Sequence, residues 1–136
     1  MFLHIKDVLT PEEITFFRQA LGPQAPWIEG ARSAGGQAIH QKNNLQLAQG
    51  SELSAQLQTM VKAALHRNAL FFSAALPRRI YNPLFNNYGD GANFYGNHVD
   101  SADMHSKADN CWVRSDLSCT LFLTPPGDSD GGELVI

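Results

Sequence analysis

Apolar residues recur at three- and four-residue intervals through the first half of this chain, the period of helices. After Pro77 they gather into short runs, the habit of strands. The first helix is signalled by Thr10 as a cap, Pro11 at the first helical position and Glu13 completing a Thr-x-x-Glu capping box. Ile14, Phe17 and Leu21 then share a face, and Gly22 and Pro23 stop the helix. Trp27 to Glu29 reads as a strand, and Ala34 to Ala38, with its two glycines, as a turn or loop. A second helix starts near Ser51. Its Leu53, Leu57, Met60, Val61, Ala64 and Leu65 form the stripe of a helix packed on something flat, and the pattern runs on to about Ser73 before Pro77 closes it. Beyond lie four short runs, Arg78 to Tyr88, Phe94 to Val99, Leu117 to Thr124 and Glu133 to Ile136, separated by Gly, Asn, Asp and Pro clusters. Helices followed by strands predict an α+β fold with the helices on one face of a sheet. Residues 1–77 are then a helical region supporting the sheet, and 78–136 the strand-rich part. Asp128 to Gly132 reads as a turn into a strand only begun at Glu133. An open apolar edge there makes self-association an expectation.

Charge narrows the function classes. The net charge is −3, and Lys42, Lys62, Arg67, Arg78, Arg79 and Arg114 are scattered, so no electrostatic footprint for nucleic acid forms. No apolar run approaches the ~20 residues of a membrane span. The N-terminus has neither a basic segment nor an apolar signal stretch, so a cytoplasmic location is expected. Cys111 and Cys119 lack zinc-type spacing and read as two reduced thiols.

The candidate chemistry lies between Tyr88 and Asp100. Along a strand, residues two apart point to the same side, so His98 and Asp100 place an imidazole and a carboxylate together while Val99 turns into packing. With a second histidine such a pair makes the facial triad of non-haem Fe(II) oxygenases, which leaves positions for a chelating co-substrate and dioxygen. Taken alone, His-x-Asp is more often a surface hydrogen bond. Tyr88 and Tyr95 flank a glycine-rich segment (Gly89, Asp90, Gly91, Asn93) that reads as a hairpin turn returning both phenols to the ligands. A phenol there can donate to a bound keto acid; the competing reading is aromatic core filling.

Several segments in order resemble the Fe(II)/2-oxoglutarate dioxygenases of the prolyl 4-hydroxylase type, and most closely the bacterial PKHD-type hydroxylase family. They are Lys42-Asn43-Asn44, Leu70 to Pro77, Pro83 to Tyr88, Tyr95 to Asp100, Arg114 to Thr124 and Gly131 to Leu134. The resemblance covers nearly the whole chain. It implies that the sheet is part of a double-stranded β-helix (jelly roll), incomplete here, with Leu117 to Thr124 a core strand and Gly131-Gly132-Glu133 the turn into the next. It implies that His98 and Asp100 are iron ligands and that Tyr88, with Tyr95, lines the 2-oxoglutarate pocket. No catalytic residue beyond the ligands is implied. The cofactors are Fe(II) and 2-oxoglutarate as co-substrate, with L-ascorbate admitted as a further one. The implied activity couples oxidative decarboxylation of 2-oxoglutarate to hydroxylation of a substrate, the partners being that co-substrate and dioxygen.

Members of that family continue past the Gly-Gly-Glu turn, where later strands supply the distal iron histidine and an arginine for the far carboxylate of 2-oxoglutarate. The resemblance therefore implies an incomplete form of such an enzyme. The alternative is a non-catalytic scaffold or binding module lacking both groups. A local substitute is sterically conceivable in His105 or Asp103 on the following loop, and a zinc hydrolase using His98, Asp100 and His105 is the third reading. His4, His40 and His66 read as ordinary surface or helix histidines. Arg78, Arg79 and Arg114 read as surface ion-pair formers, Arg114 being the best placed to meet a keto acid.

Overall fold

Thr10 opens the first helix, α1 (Pro11–Ala20), through the reciprocal pair expected of it: Glu13 N donates to Thr10 Oγ1 at 3.2 Å and Thr10 N to Glu13 Oε2 at 2.9 Å. The computed structural model describes residues 2–30, 42–89, 91, 94–106 and 109–128. In chain order α1 is followed by β1 (Trp27–Glu29), β2 (Lys42–Asn43), β3 (Leu45–Leu47), α2 (Glu52–Arg67) and α3 (Ala69–Ala75). Then come β4 (Asn86–Asn87), β5 (Phe94–Tyr95), β6 (Asp103–Ser106) and β7 (Cys111–Arg114). The fold is mixed α+β. All strand pairs are antiparallel and form three small sheets among the described residues: β1-β3-β4, β2-β5 and β6-β7.

The helix stripe reads as expected where it packs. Leu57, Val61, Ala64 and Leu65 of α2 are buried with Phe17 of α1, Leu47 of β3, Leu9, Ala25 and Phe85. Phe17 and Phe85 meet as tilted rings, centroids 6.1 Å apart. Arg67 at the end of α2 returns to Glu13 with both guanidinium nitrogens and to the Val8 carbonyl, tying the two helices together.

The second helix does not run on to Ser73. It breaks at Asn68, whose backbone turns extended (ψ 105°) and whose side chain accepts from Phe71 N at 2.9 Å, capping α3. Asparagine competes for backbone hydrogen bonds in this way, which is why it ends one helix and starts another.

The expected strands are shorter than their apolar runs. Between Arg78 and Tyr88 only β4 joins a ladder, extended by the Leu47 N to Phe85 O bond at 2.9 Å; Pro83, without an N–H, cannot serve in a ladder interior. Leu117 to Thr124 forms no ladder among the described residues. It keeps the alternation of a strand, however: Leu121 and Leu123 pack against the core while Phe122 is exposed. β6 and β7, by contrast, make a full hairpin where a loop was expected. Asn110 sits left-handed in its turn (φ 45°), and Ser106 Oγ donates to Asp109 Oδ2 at 2.7 Å. The loop at 34–38, the Gly131–Glu133 turn and the strand at 133–136 lie outside the described residues, as does His40.

The continuous segment from β2 through β3 decides what each side offers. Leu45 and Leu47 fall on one face, toward Trp27 and the helices; Lys42, Asn44 and Gln46 alternate onto the other, and all three are buried. Across the ladder Asn86 stands opposite Gln46 and accepts from both Asn44 Nδ2 (3.0 Å) and Gln46 Nε2 (3.1 Å), while Tyr95 stands opposite Lys42. One face is thus an apolar core and the other a polar floor.

Candidate metal centre

At the edge of that polar floor the chain leaves β5 and, within three residues, presents His98. The imidazole lies flat on Tyr95, ring centroids 3.6 Å apart and planes 14° from parallel. Its Nδ1 is 2.8 Å from the Gly96 carbonyl oxygen. A carbonyl carries no hydrogen, so Nδ1 must be the donor, and in the neutral ring the lone pair is left on Nε2. Nε2 faces Asp100 Oδ1 at 3.3 Å. Metal-ligating histidines commonly have this arrangement, with the other ring nitrogen held by a carbonyl.

The expected pair is therefore together, although not as the strand argument required. β5 ends at Tyr95, and His98 and Asp100 follow it in irregular backbone. Val99 does not enter packing: it is 95% exposed. The site is open, with the Asp100 side chain half exposed and that of His98 about a quarter. Two surface hollows, of about 480 Å³ beside Trp27 and Leu45 and 520 Å³ beside Lys62 and Arg79, lie elsewhere.

The two tyrosines come within electrostatic reach of each other, by a different route. β4 and β5 do not pair with each other as a hairpin; β4 lies on β3 and β5 on β2. Gly91 is left-handed (φ 90°) and its carbonyl accepts from Asn43 Nδ2 at 2.7 Å, while residues 90, 92 and 93 lie outside the described residues. Burial pushes the Tyr88 phenol upward, and so does neighbouring Tyr95. Burial likewise raises Tyr95, helped by the Asp100 charge. Both phenols therefore stay protonated through neutral pH and remain hydrogen-bond donors. Lys42, quoted in the sequence only as part of Lys-Asn-Asn, proves to belong here: its Nζ is 5.0 Å from the Tyr95 ring centroid. The signal that marks it is the polar alternation Lys42, Asn44, Gln46 in a strand whose other face is leucine.

Other expected contributors are elsewhere. His105 is not on a flexible loop; it lies in β6, its ring edge-on to Trp112 at 5.2 Å across the ladder. Among the described residues no three of His, Cys, Asp and Glu gather as a metal-binding group, which removes the His98–Asp100–His105 zinc reading and the local substitute. Arg114 pairs with Asp116 at 2.7 Å on the surface, the ordinary role. Cys111 and Cys119 are both free, as expected of reduced thiols. No helix among the described residues is long and apolar enough to cross a membrane.

Comparison with known proteins adds the lineage. All 136 residues align with the PKHD-type hydroxylase of Variovorax paradoxus (strain S110) at 52% identity and with that of Aliarcobacter butzleri (strain RM4018) at 47%. The PKHD-type hydroxylase YbiX of Escherichia coli (strain 55989 / EAEC) aligns over the same 136 residues at 48%. This chain is a relative of the PKHD-type hydroxylases. It spans 59% of the length of each of these three. No family model matches it. The kinship with PKHD-type hydroxylases runs through every element described above, including the segment that carries His98 and Asp100.

Proposed function

We propose that this chain carries two iron ligands and part of the co-substrate pocket of an Fe(II)/2-oxoglutarate-dependent dioxygenase that hydroxylates its substrate. The observation that supports it is the facing pair, His98 Nε2 and Asp100 Oδ1 at 3.3 Å, with Nδ1 tied back to Gly96. An imidazole nitrogen and a carboxylate oxygen this close could hold one cation between them. Imidazole and carboxylate are also the ligand types that non-haem iron uses. Bound iron would supply dioxygen chemistry, in which one oxygen atom of O2 enters the substrate C–H bond as hydroxyl and the other enters the succinate formed as 2-oxoglutarate loses carbon dioxide.

The chain's own residues do the rest. His98 and Asp100 would hold the ion. Tyr88 and Tyr95, kept protonated, would donate hydrogen bonds to the keto acid, and L-ascorbate fits the same chemistry as an accessory reductant. The third protein ligand and an arginine for the distal carboxylate fall, in this reading, to the length that PKHD-type relatives have beyond the matched 59%. The three small sheets are read as parts of a double-stranded β-helix, with residues 1–77 its helical support and 78–136 its first part, acting in the cytoplasm. The absence of a three-residue metal group among the described residues favours one alternative, a non-catalytic binding module of the same lineage.

Anaerobic titration with Fe(II) and 2-oxoglutarate, made on this chain joined to the further length that its PKHD-type relatives have, separates the two. The oxygenase reading expects a weak visible charge-transfer band, lost in His98→Ala and in Asp100→Ala. No band, and no effect of Fe(II) on the His98 ring, would overturn it in favour of the binding module.

A further inference from the structure

We infer that Lys42 is a positioning residue for the metal-facing imidazole, acting through the Tyr95 ring. The inference rests on the proposed metal role of His98 but concerns an interaction within the chain that exists without metal. Lys42 occupies a strand position that is 9% exposed, on the same face as the buried Asn44 and Gln46. Burying an ammonium is costly, and burial does lower the Lys42 pKa. Lys42 is the direct ladder partner of Tyr95, on the same face, and its Nζ lies 5.0 Å from the Tyr95 ring centroid, within cation–π range. That ring in turn lies 3.6 Å from His98.

The imidazole plane is thus set by two contacts that differ in kind. The hydrogen bond from Nδ1 to the Gly96 carbonyl chooses the tautomer, and the Tyr95 face fixes the tilt. β5 is only two residues long and Tyr95 is its last, so the ladder alone holds that ring weakly. A cation attracted to the ring adds a second anchor from β2, a strand tied into the polar floor. Through it the position of Nε2 relative to Asp100 is referred back to the sheet, although His98 itself sits in irregular backbone.

The test compares Lys42→Met, which keeps the stem and burial without charge, with Lys42→Arg, which keeps the cation. The readout is His98 side-chain nitrogen NMR of the whole chain, without metal and then with Zn(II) alone as a diamagnetic probe. Lys42→Met is expected to shift and broaden the His98 side-chain nitrogen signals and to weaken Zn(II) about tenfold, the order seen for outer-shell partners of metal ligands. Lys42→Arg is expected to restore both. His98 signals unchanged in Lys42→Met, or moved equally by both variants, would overturn the inference. If Lys42→Met fails to fold, Tyr95→Leu decides: an unmoved His98 ring in that variant also overturns it. Should the His98 signals follow Lys42 while Zn(II) leaves them untouched, the positioning stands and the metal reading is what fails.

Discussion

Glu13 holds a proton less readily than an ordinary glutamate, first because Arg67 bonds its carboxylate and next because the Thr10 amide does. A carboxyl depressed in the folded state stabilises above its unfolded pKa, and the benefit is lost as pH falls through the folded value. Glu13→Gln is therefore expected to lower the urea midpoint at pH 7, with the gap to the parent closing as pH falls from the ordinary glutamate range through that folded value. A gap that stays constant with pH would show the carboxylate to be unimportant. Gly30 is set by space rather than by turn geometry: a Cβ there would stand 1.9 Å from Asn44 Oδ1 and 2.9 Å from the Asn44 carbonyl. Gly30→Ala is expected to cost about 1–3 kcal/mol in thermal unfolding, as overpacking does. The capping box at Thr10 was legible from four letters because both halves of the motif lie within one turn. The crowding at Gly30 was not, since its partner, Asn44, lies fourteen residues further along the chain and nothing local marks it. His98 and Asp100 were legible as a pair through their spacing, whereas Lys42 became a site residue only once β2 and β5 were seen side by side.

Among elements, the helices were easier to read than the strands. A helix makes its hydrogen bonds within itself, so the stripe from Leu57 to Leu65 and the cap at Ser51 carry nearly all the information needed. The error lay at Asn68, where an apolar period continues but the cap interrupts. Asn68→Ala is expected to cost about 1 kcal/mol by chemical denaturation and to raise helical circular dichroism as α2 and α3 merge; unchanged stability would mean that Phe71 N finds another acceptor. A strand depends on a neighbour that the sequence does not name. Leu117 to Thr124 alternates correctly and has no ladder among the described residues, while Asp103 to Arg114 makes a hairpin from two unremarkable segments joined by a left-handed asparagine.

Across the whole molecule, cohesion is uneven. Every buried apolar residue among those described lies at or before Phe85; beyond it Phe94, Val99, Trp112, Leu117 and Phe122 are exposed. Amide hydrogen exchange is therefore expected to be slowest in α1, α2 and β3 and much faster in β6 and β7, since opening free energy follows buried apolar contact. Equal protection in both parts would refute this. The proposed metal pair, His98 and Asp100, sits in the looser part, so an ion bound there should raise the melting temperature in proportion to the logarithm of its concentration. The two-faced strand Lys42 to Leu47 has a consequence for how such a molecule is assembled. Side chains alternate with period two, so a slip of one residue would drive an ammonium and two amides beneath α2 and leave leucines on the polar side. Folding to the wrong alignment thus penalises itself twice, and the segment proposed to support the site also proofreads the architecture.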